Sequence, residues 1–236
     1  MHLHNVSGGV LGGDELHLLV DVGADAKAQV TTVGATRVHR AKPNEQTSRQ
    51  ETFIRLGTNS FLEYLPDPVI PYAHSRYEQR CEVHLGYGAG LIWWESFGAG
   101  RLAHGERFSF RTFTSDVAIY SGALPIALER FTLCPELHAL ASPARMGKFL
   151  YSATMYVCRS NHLEPWIEIE SKLNGVAREI STSESVWGAS ALVRDGVVIR
   201  GLCCSAHRIT AGLHHLWEVS KRTVWNKPAL LPRKIY

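Results

Sequence analysis

The sequence predicts an all-β dominated chain, β-helix-like in that it stacks coils or layers of sheet, with about two helices toward the C-terminus. Three observations carry this reading. Runs alternating apolar and polar residues fill most of the chain before Pro143; three of them break at a Val-Gly or Leu-Gly step and resume after a few small or polar residues; and helical spacing enters only after Pro143.

The elements follow in order. Gly8-Gly9 and Gly12-Gly13, with Asp14 directly after, suit paired sharp bends where φ is positive or another backbone comes close. A phosphate loop would need Lys and Ser/Thr after the last glycine and then a helix, whereas here Asp14-Glu15 leads into the strand-like run Leu16 to Val22. The internal repeat comes next, as LHLLVDVGADAKAQVTT around Gly23, ETFIRLGTNSFLEYLP around Gly57 and CEVHLGYGAGLIWWE around Gly86. In each copy apolar residues alternate on both sides of the turn: Val20, Val22, Ala28 and Val30; Ile54, Leu56, Leu62 and Tyr64; Val83, Leu85, Leu91 and Trp93. Each strand therefore has one buried face. Copies 34 and 29 residues apart suggest stacked β coils or layered antiparallel sheets. The competing reading is an unrelated β-sandwich whose hairpins look alike.

Pro66, Pro68 and Pro71 predict an irregular extended crossing that does not pair as a central strand. GYGAG at Gly86 to Gly90 has the glycines of a dinucleotide fingerprint but precedes Leu91-Ile92-Trp93-Trp94, which favours strand and supplies no helix N-terminus for a pyrophosphate. Arg111 to Thr114 and Val117 to Tyr120 continue the β pattern, and Phe149 to Cys158 reads as another strand. A short helix is expected over Glu164 to Leu173, with Pro165 near its first turn. Val186 to Val193 and Val197 to Cys204 predict a hairpin across Arg194-Asp195-Gly196. The last element, His207 to Trp225, sets Ile209, Leu213, Leu216 and Trp217 at helical spacing with Lys221 and Arg222 in its final turns. Its apolar stripe fits packing on the sheet or a partner protein.

Composition excludes several classes. The 25 basic and 22 acidic residues of this 236-residue chain are scattered without long runs, so a net charge of +3 demands neither nucleic acid nor a membrane surface. Five cysteines without a CxxC pair, and no apolar segment at the first residues, lead us to expect reduced thiols and a cytoplasmic location. No uninterrupted apolar run reaches the roughly 20 residues of a membrane-spanning helix. GxSxG, HExxH and EF-hand patterns are absent from the sequence. Of twelve histidines, His2/His4 and His214/His215 come close together; the latter two point about 100° apart on a helix, which disfavours one shared ion. Cys203-Cys204 alternates faces on a strand and reads as core. A group of acids beside aromatics and prolines, Glu63 and Asp67 with Glu95 after Trp93-Trp94, reads as a solvated loop or as the rim of a polar passage.

Ser7-Gly8-Gly9-Val10-Leu11-Gly12-Gly13-Asp14 resembles the glycine-rich signature of the urease accessory protein family UreD, called UreH in some organisms. Thr31 to Arg40 is similar to that family's "TTxxATKxYR" segment, Leu62 to Pro66 to its "LEWLP", and Gly100 to Phe108 to its "GRxxxGExF". Leu216-Trp217 and Leu231 to Ile235 resemble its closing Trp and "LPRIW" pattern. The departures are Arg37 at the lysine position, His39 at the tyrosine position, and Ile235 or Tyr236 at the closing tryptophan.

The resemblance implies one domain over residues 1–236, without the strands that family members carry before the double glycine, which would leave a sheet edge exposed. It implies a non-enzymatic chaperone that binds apo-urease and recruits UreF and the GTPase UreG for nickel insertion, with the ion carried through an internal tunnel. No cofactor is then tightly bound, and nickel is cargo in transit. Imidazole and thiolate hold Ni²⁺ strongly, so a conduit should offer exchangeable oxygen ligands and water in a wet, polar passage. Asp14, Glu63, Asp67 and Glu95 are the candidates, because they flank the glycine bends or the proline-rich crossing. The alternative is a β-solenoid enzyme acting on a carbohydrate or acyl substrate with Glu63 and Asp67 as its acid pair. A third reading is a β-sheet binding module with no metal role.

Overall fold

A computed structural model describes residues 1–42, 44–163 and 165–232, and among them the chain forms fourteen strands and two α-helices in three layers. The first layer is a sheet ordered β11 (Leu124–Leu133), β10 (Thr112–Ser121), β8 (Arg76–Leu85), β5 (Ser48–Leu56) and β2 (Glu15–Val22). The second runs β1 (His2–Leu3), β3 (Lys27–Thr32), β6 (Phe61–Leu65), β9 (Gly90–Gly98), β12 (Tyr151–Arg159), β14 (Gly196–Cys203) and β13 (Ser185–Ala191). Beside it, β4 (Thr36–Val38) pairs with β7 (Val69–Pro71), which touches β9. Two helices, α1 (Trp166–Ile180) and α2 (Ala206–Trp225), form the third layer on the outer face of the second sheet.

The sequence repeat is a stack of coils. Glu15 lies beside Arg49 in the first sheet and Lys27 beside Phe61 in the second, both 34 residues apart and parallel. Arg49 lies beside Glu78 and Phe61 beside Gly90, both 29 apart. Each coil climbs one sheet, turns at its glycine and returns on the other. After β10 the coiling stops: β11 folds back antiparallel on β10, and β12, β14 and β13 extend the second sheet antiparallel. Both architectures suggested by the repeat are therefore present, coils first and an antiparallel meander after.

The turns explain the glycines. Gly57 N–H donates to the Val22 carbonyl and Gly86 N–H to the Leu56 carbonyl, each at 2.8 Å, so every turn rests on the one before. The third turn residue, Asp25, Asn59 or Gly88, takes the left-handed conformation with φ of 59°, 53° and 69°. A Cβ on Gly86 would lie 2.7 Å from the Leu56 carbonyl oxygen, a backbone atom that cannot move aside alone. Gly86→Ala is accordingly expected to cost about 1–3 kcal/mol through overpacking. A urea denaturation midpoint equal to that of the parent chain would contradict this stacking.

The residues expected to point inward do so. Val20, Val22, Val30, Ile54, Leu56, Leu62, Tyr64, Val83, Leu85, Leu91 and Trp93 fill the space between the sheets, with Ala28 packed at the edge. A second core, with Ile92, Trp94, Met155 and Ile199 from the sheet, takes Ile169, Leu173 and Ala177 of α1 and Ile209, Leu213, Leu216 and Trp217 of α2. The stripe of α2 is thus spent on the sheet. At the end away from the glycine turns, Tyr77, Phe97, Phe108, Phe110 and Phe113 pack with Val10 and Val38.

Two expectations are corrected. The first helix runs on to Ile180, because the i, i+4 series Ile169, Leu173, Ala177 continues past Leu173; Pro165 is its N-cap, and Glu164 lies outside the described residues. The β13–β14 hairpin forms where the Asp-Gly step puts it, with Asp195 in the positive-φ conformation (55°). The proline crossing does pair over Val69–Pro71, since Pro68 accepts from Thr36 N–H and Tyr72 donates to Val38, so the prolines are not asked for an N–H. Residues 233–236, part of the closing motif, also lie outside the described residues.

Candidate functional site

Reading the inward positions of the first sheet row by row exposes a polar layer. One row is Val20–Ile54–Val83–Ile119, and the next is Leu18–Thr52–Cys81–Val117. The third is Leu16–Gln50–Gln79–Ser115, and the fourth Ser48–Tyr77–Phe113. The second sheet repeats the pattern along β9, where Trp93, Glu95 and Phe97 share one face. Polar residues therefore occupy a belt between the aliphatic core and the aromatic end.

Hydrogen bonds tie the belt together. Glu95 accepts from Gln79 Nε2 at 2.6 Å and from Ser115 Oγ at 3.0 Å. Tyr77 donates its hydroxyl to Gln50 Oε1 at 2.9 Å. Thr32 Oγ1 donates to Asp67 Oδ2 and accepts from Asp67 N–H, both at 2.8 Å. Burial pushes the Glu95 carboxyl up to about 7; the Ser115 and Gln79 hydrogen bonds oppose this, and the nearby Glu129 charge adds to it. Burial also raises the Tyr64 and Tyr77 phenols and the Cys81 thiol, which stay neutral donors at physiological pH.

The belt encloses a cavity of about 60 Å³ whose walls include Thr32, Gln50, Thr52, Asp67, Gln79 and Glu95. It shares Thr32, Thr36, Gln50 and Tyr64 with a groove of about 770 Å³ under the first glycine loop. In the other direction it shares Pro66, Asp67 and Ser96 with a cleft of about 360 Å³ beneath α2. Ser96 borders both cavities, is 6% exposed, and its Oγ has no hydrogen-bond partner among the described residues.

Of the four acids singled out in the sequence, the structure brings two together: Asp67 and Glu95 line the same cavity. Glu63 lies on the opposite face of the second sheet, held by Trp217 Nε1 at 2.7 Å and by Lys221 Nζ at 2.8 Å, and it borders neither the belt cavity nor the cleft. Glu63 and Asp67 therefore share neither of these two cavities. Asp14 caps its own loop, with Oδ2 accepting from Leu11 N–H at 2.8 Å. The double glycine fits this loop tightly: a Cβ on Gly9 would lie 2.6 Å from the Arg37 carbonyl oxygen.

Sequence reading passed over Gln50, Thr52, Gln79 and Ser115. Their signal was strand parity, because Gln79 shares a face with Val83 and Leu85, and Gln50 with Ile54 and Leu56. Among the described residues no group of three or more His, Cys, Asp or Glu is placed to hold a metal ion. The belt's donors are oxygens and amides, a set that suits weak, exchanging contact with a hard or borderline cation and not tight retention. Among the described residues no helix is long and apolar enough to cross a membrane.

Comparison with known proteins places these features in a family. A family model described as UreD urease accessory protein matches residues 1–235. The urease accessory protein UreD of Herpetosiphon aurantiacus is 40% identical over 238 residues, covering 100% of this chain and 83% of that protein. UreD 2 of Brucella abortus is 31% identical over 92% of this chain and 72% of its own length. UreD of Deinococcus radiodurans is 28% identical over 98% and 79%.

Proposed function

The chain belongs to the UreD urease accessory protein family, and from that premise we propose that it is a non-catalytic assembly factor for the urease nickel centre. In this reading it binds apo-urease in the cytoplasm, recruits UreF and the GTPase UreG, and lets nickel pass between its two sheets. The observation that supports passage most is the polar belt, whose cavity shares wall residues with the loop-side groove on one side and with the cleft beneath α2 on the other. A divalent ion cannot enter a dry β interior, because stripping its water costs far more than isolated contacts return. Here Glu95 and Asp67 supply charge, while Gln79, Gln50, Thr32 and Ser96 supply oxygens that replace water one at a time. Asp14 and Glu63 stand outside this route in our reading, the first as a loop cap and the second as an anchor for α2.

The test separates scaffold from conduit. Apo-urease is co-expressed with UreF, UreG and this chain, and urease nickel content and activity are measured beside a pull-down. Asp67→Ala and Gln79→Leu are expected to lower nickel content severalfold while the complex still assembles. Full nickel loading in both variants would overturn passage through the belt. Failure of the parent chain to capture apo-urease or UreF would overturn the assembly role itself.

A further inference from the structure

At the end of the helical layer, one row of the second sheet reads Lys27–Phe61–Gly90–Arg159 in register. Their neighbours Ala28, Leu62, Leu91 and Cys158 face the inter-sheet core, so all four point toward the helices. Trp225, the last residue of α2, lies over the two central positions. Its ring centroid is 4.8 Å from that of Phe61, and a Cβ on Gly90 would come within 2.8 Å of the indole, so glycine makes the seat. The indole stays half-buried, with Lys27 on one side and Arg159 on the other.

Two more cations join them. Lys221 Nζ stands 5.8 Å over the Phe61 ring, already paired with Glu63. Lys227 adjoins Lys27 closely enough that a side-chain hydrogen bond with it, and then its charge, lower the proton affinity of Lys227. Among the described residues no carboxylate lies within 4.0 Å of Lys27, Arg159 or Lys227. The C-terminus of α2 accounts for one cation, since Arg159 donates to the Val224 carbonyl at 3.2 Å. It gives no reason for two lysines to be set against each other at an exposed corner.

We propose that this corner docks an extended acidic segment of a partner protein, with an apolar side chain seated on Trp225 between two carboxylates. The spacing selects the pattern. Three strand intervals put Lys27 and Arg159 about 14 Å apart, and residues i and i+4 of an extended chain are about 13 Å apart on one face, with i+2 between them. The partner motif is thus Glu/Asp-x-Phe/Leu-x-Glu/Asp, and Lys227 thickens the positive charge at the Lys27 end. This surface is separate from the polar belt and stands whether or not nickel passes there.

The probe is the peptide acetyl-Gly-Glu-Ser-Phe-Ser-Glu-Gly-amide, titrated into the full chain while the indole N–H resonances are followed, with Trp225→Phe assigning the Trp225 signal. The peptide is expected to move that signal, a version with Gln for both Glu is not, and Lys27→Glu/Lys227→Glu should weaken binding about tenfold, as two reversed exposed charges would. Both lysines are exposed, so the variant should keep its fold, and Lys27→Gln alone provides a milder second reading. An equal loss in Lys148→Glu/Lys172→Glu would overturn the proposal, as would an unmoved Trp225 signal. Tighter binding of a dT10 oligonucleotide or of phosphatidylserine vesicles, lost in the same double variant, would overturn it in favour of those partners.

Discussion

Lys221→Met is expected to destabilise the chain by about 3–5 kcal/mol, because it leaves the Glu63 carboxylate buried without its counter-charge. Glu63 and Lys221 have side chains 6% and 8% exposed, and Nζ reaches both carboxylate oxygens, at 2.8 and 2.9 Å. Trp217 Nε1 and Gln29 Nε2 donate to the same carboxylate at 2.7 and 3.3 Å. Each oxygen is therefore satisfied, and the pair fastens the last turns of α2 to β6. The desolvation of two charges offsets much of their attraction, so the pair as a whole adds little net stability while either half alone is costly. Glu63→Gln/Lys221→Met keeps an acceptor for Trp217, removes both charges and should fold within about 1 kcal/mol of the parent chain. Urea denaturation of the two single variants and the double variant measures this as a cycle. If Lys221→Met loses less than about 1 kcal/mol, or if the two substitutions simply add, the clasp is not what holds α2.

This pair also marks where sequence reading stops. Strand parity is local: Leu62 and Tyr64 facing one way put Glu63 on the other, and the chain says so within three residues. What covers that other face is decided by Trp217 and Lys221, more than 150 residues later. Leu213, Trp217 and Lys221 stand four apart on α2, so a lysine in line with the apolar stripe was visible; its acid partner was not. The coils were legible for the opposite reason. Their turns, spacing and alternation recur, and repetition turns three weak local signals into one register, which the parallel pairing follows residue for residue. The meander after β10 has no such repeat. Its partners, β12 beside β9 and β14 beside β12, come from tertiary packing.

The candidate passage falls between these cases. Glu95 and Asp67 were found as acids near aromatics and prolines, a compositional cue that carried Glu63 along with them. Parity would have kept the first and set the third aside, because Glu95 shares its face with Leu91 and Trp93, whereas Glu63 does not share one with Leu62 and Tyr64. Applied to β5 and β8, the same rule picks out Gln50, Thr52 and Gln79 as polar residues on inward positions. A polar side chain on the buried parity of a strand is costly unless it is satisfied, so a run of them across neighbouring strands signals a hydrogen-bonded polar layer inside.

That interior should make stability depend on pH through Glu95. Its carboxyl titrates at about 7 in the folded chain against an ordinary 4.5. Between those values the folded state keeps a proton that the unfolded chain has released, so stability falls as pH rises through this window and levels off above it. The shift corresponds to about 3 kcal/mol lost by pH 8 relative to pH 4.5. Glu95→Gln removes the titration while keeping an oxygen that accepts from Gln79 and Ser115. It should be about as stable as the parent near pH 5 and more stable by roughly 2–3 kcal/mol at pH 8. The same substitution should act in the opposite direction on nickel loading of co-expressed urease. The parent chain would load less at pH 6, where Glu95 is protonated, than at pH 8, and Glu95→Gln would be low at both. Parallel stability slopes for the two chains between pH 5 and 8 would remove Glu95 as the titrating group. A variant that gains stability at pH 8 yet loads nickel fully would keep the buried carboxyl and reject its part in the passage. A carboxyl that ionises only at a stability cost, in a cavity lined by Gln79, Ser96 and Asp67, is what the proposed cation route would require.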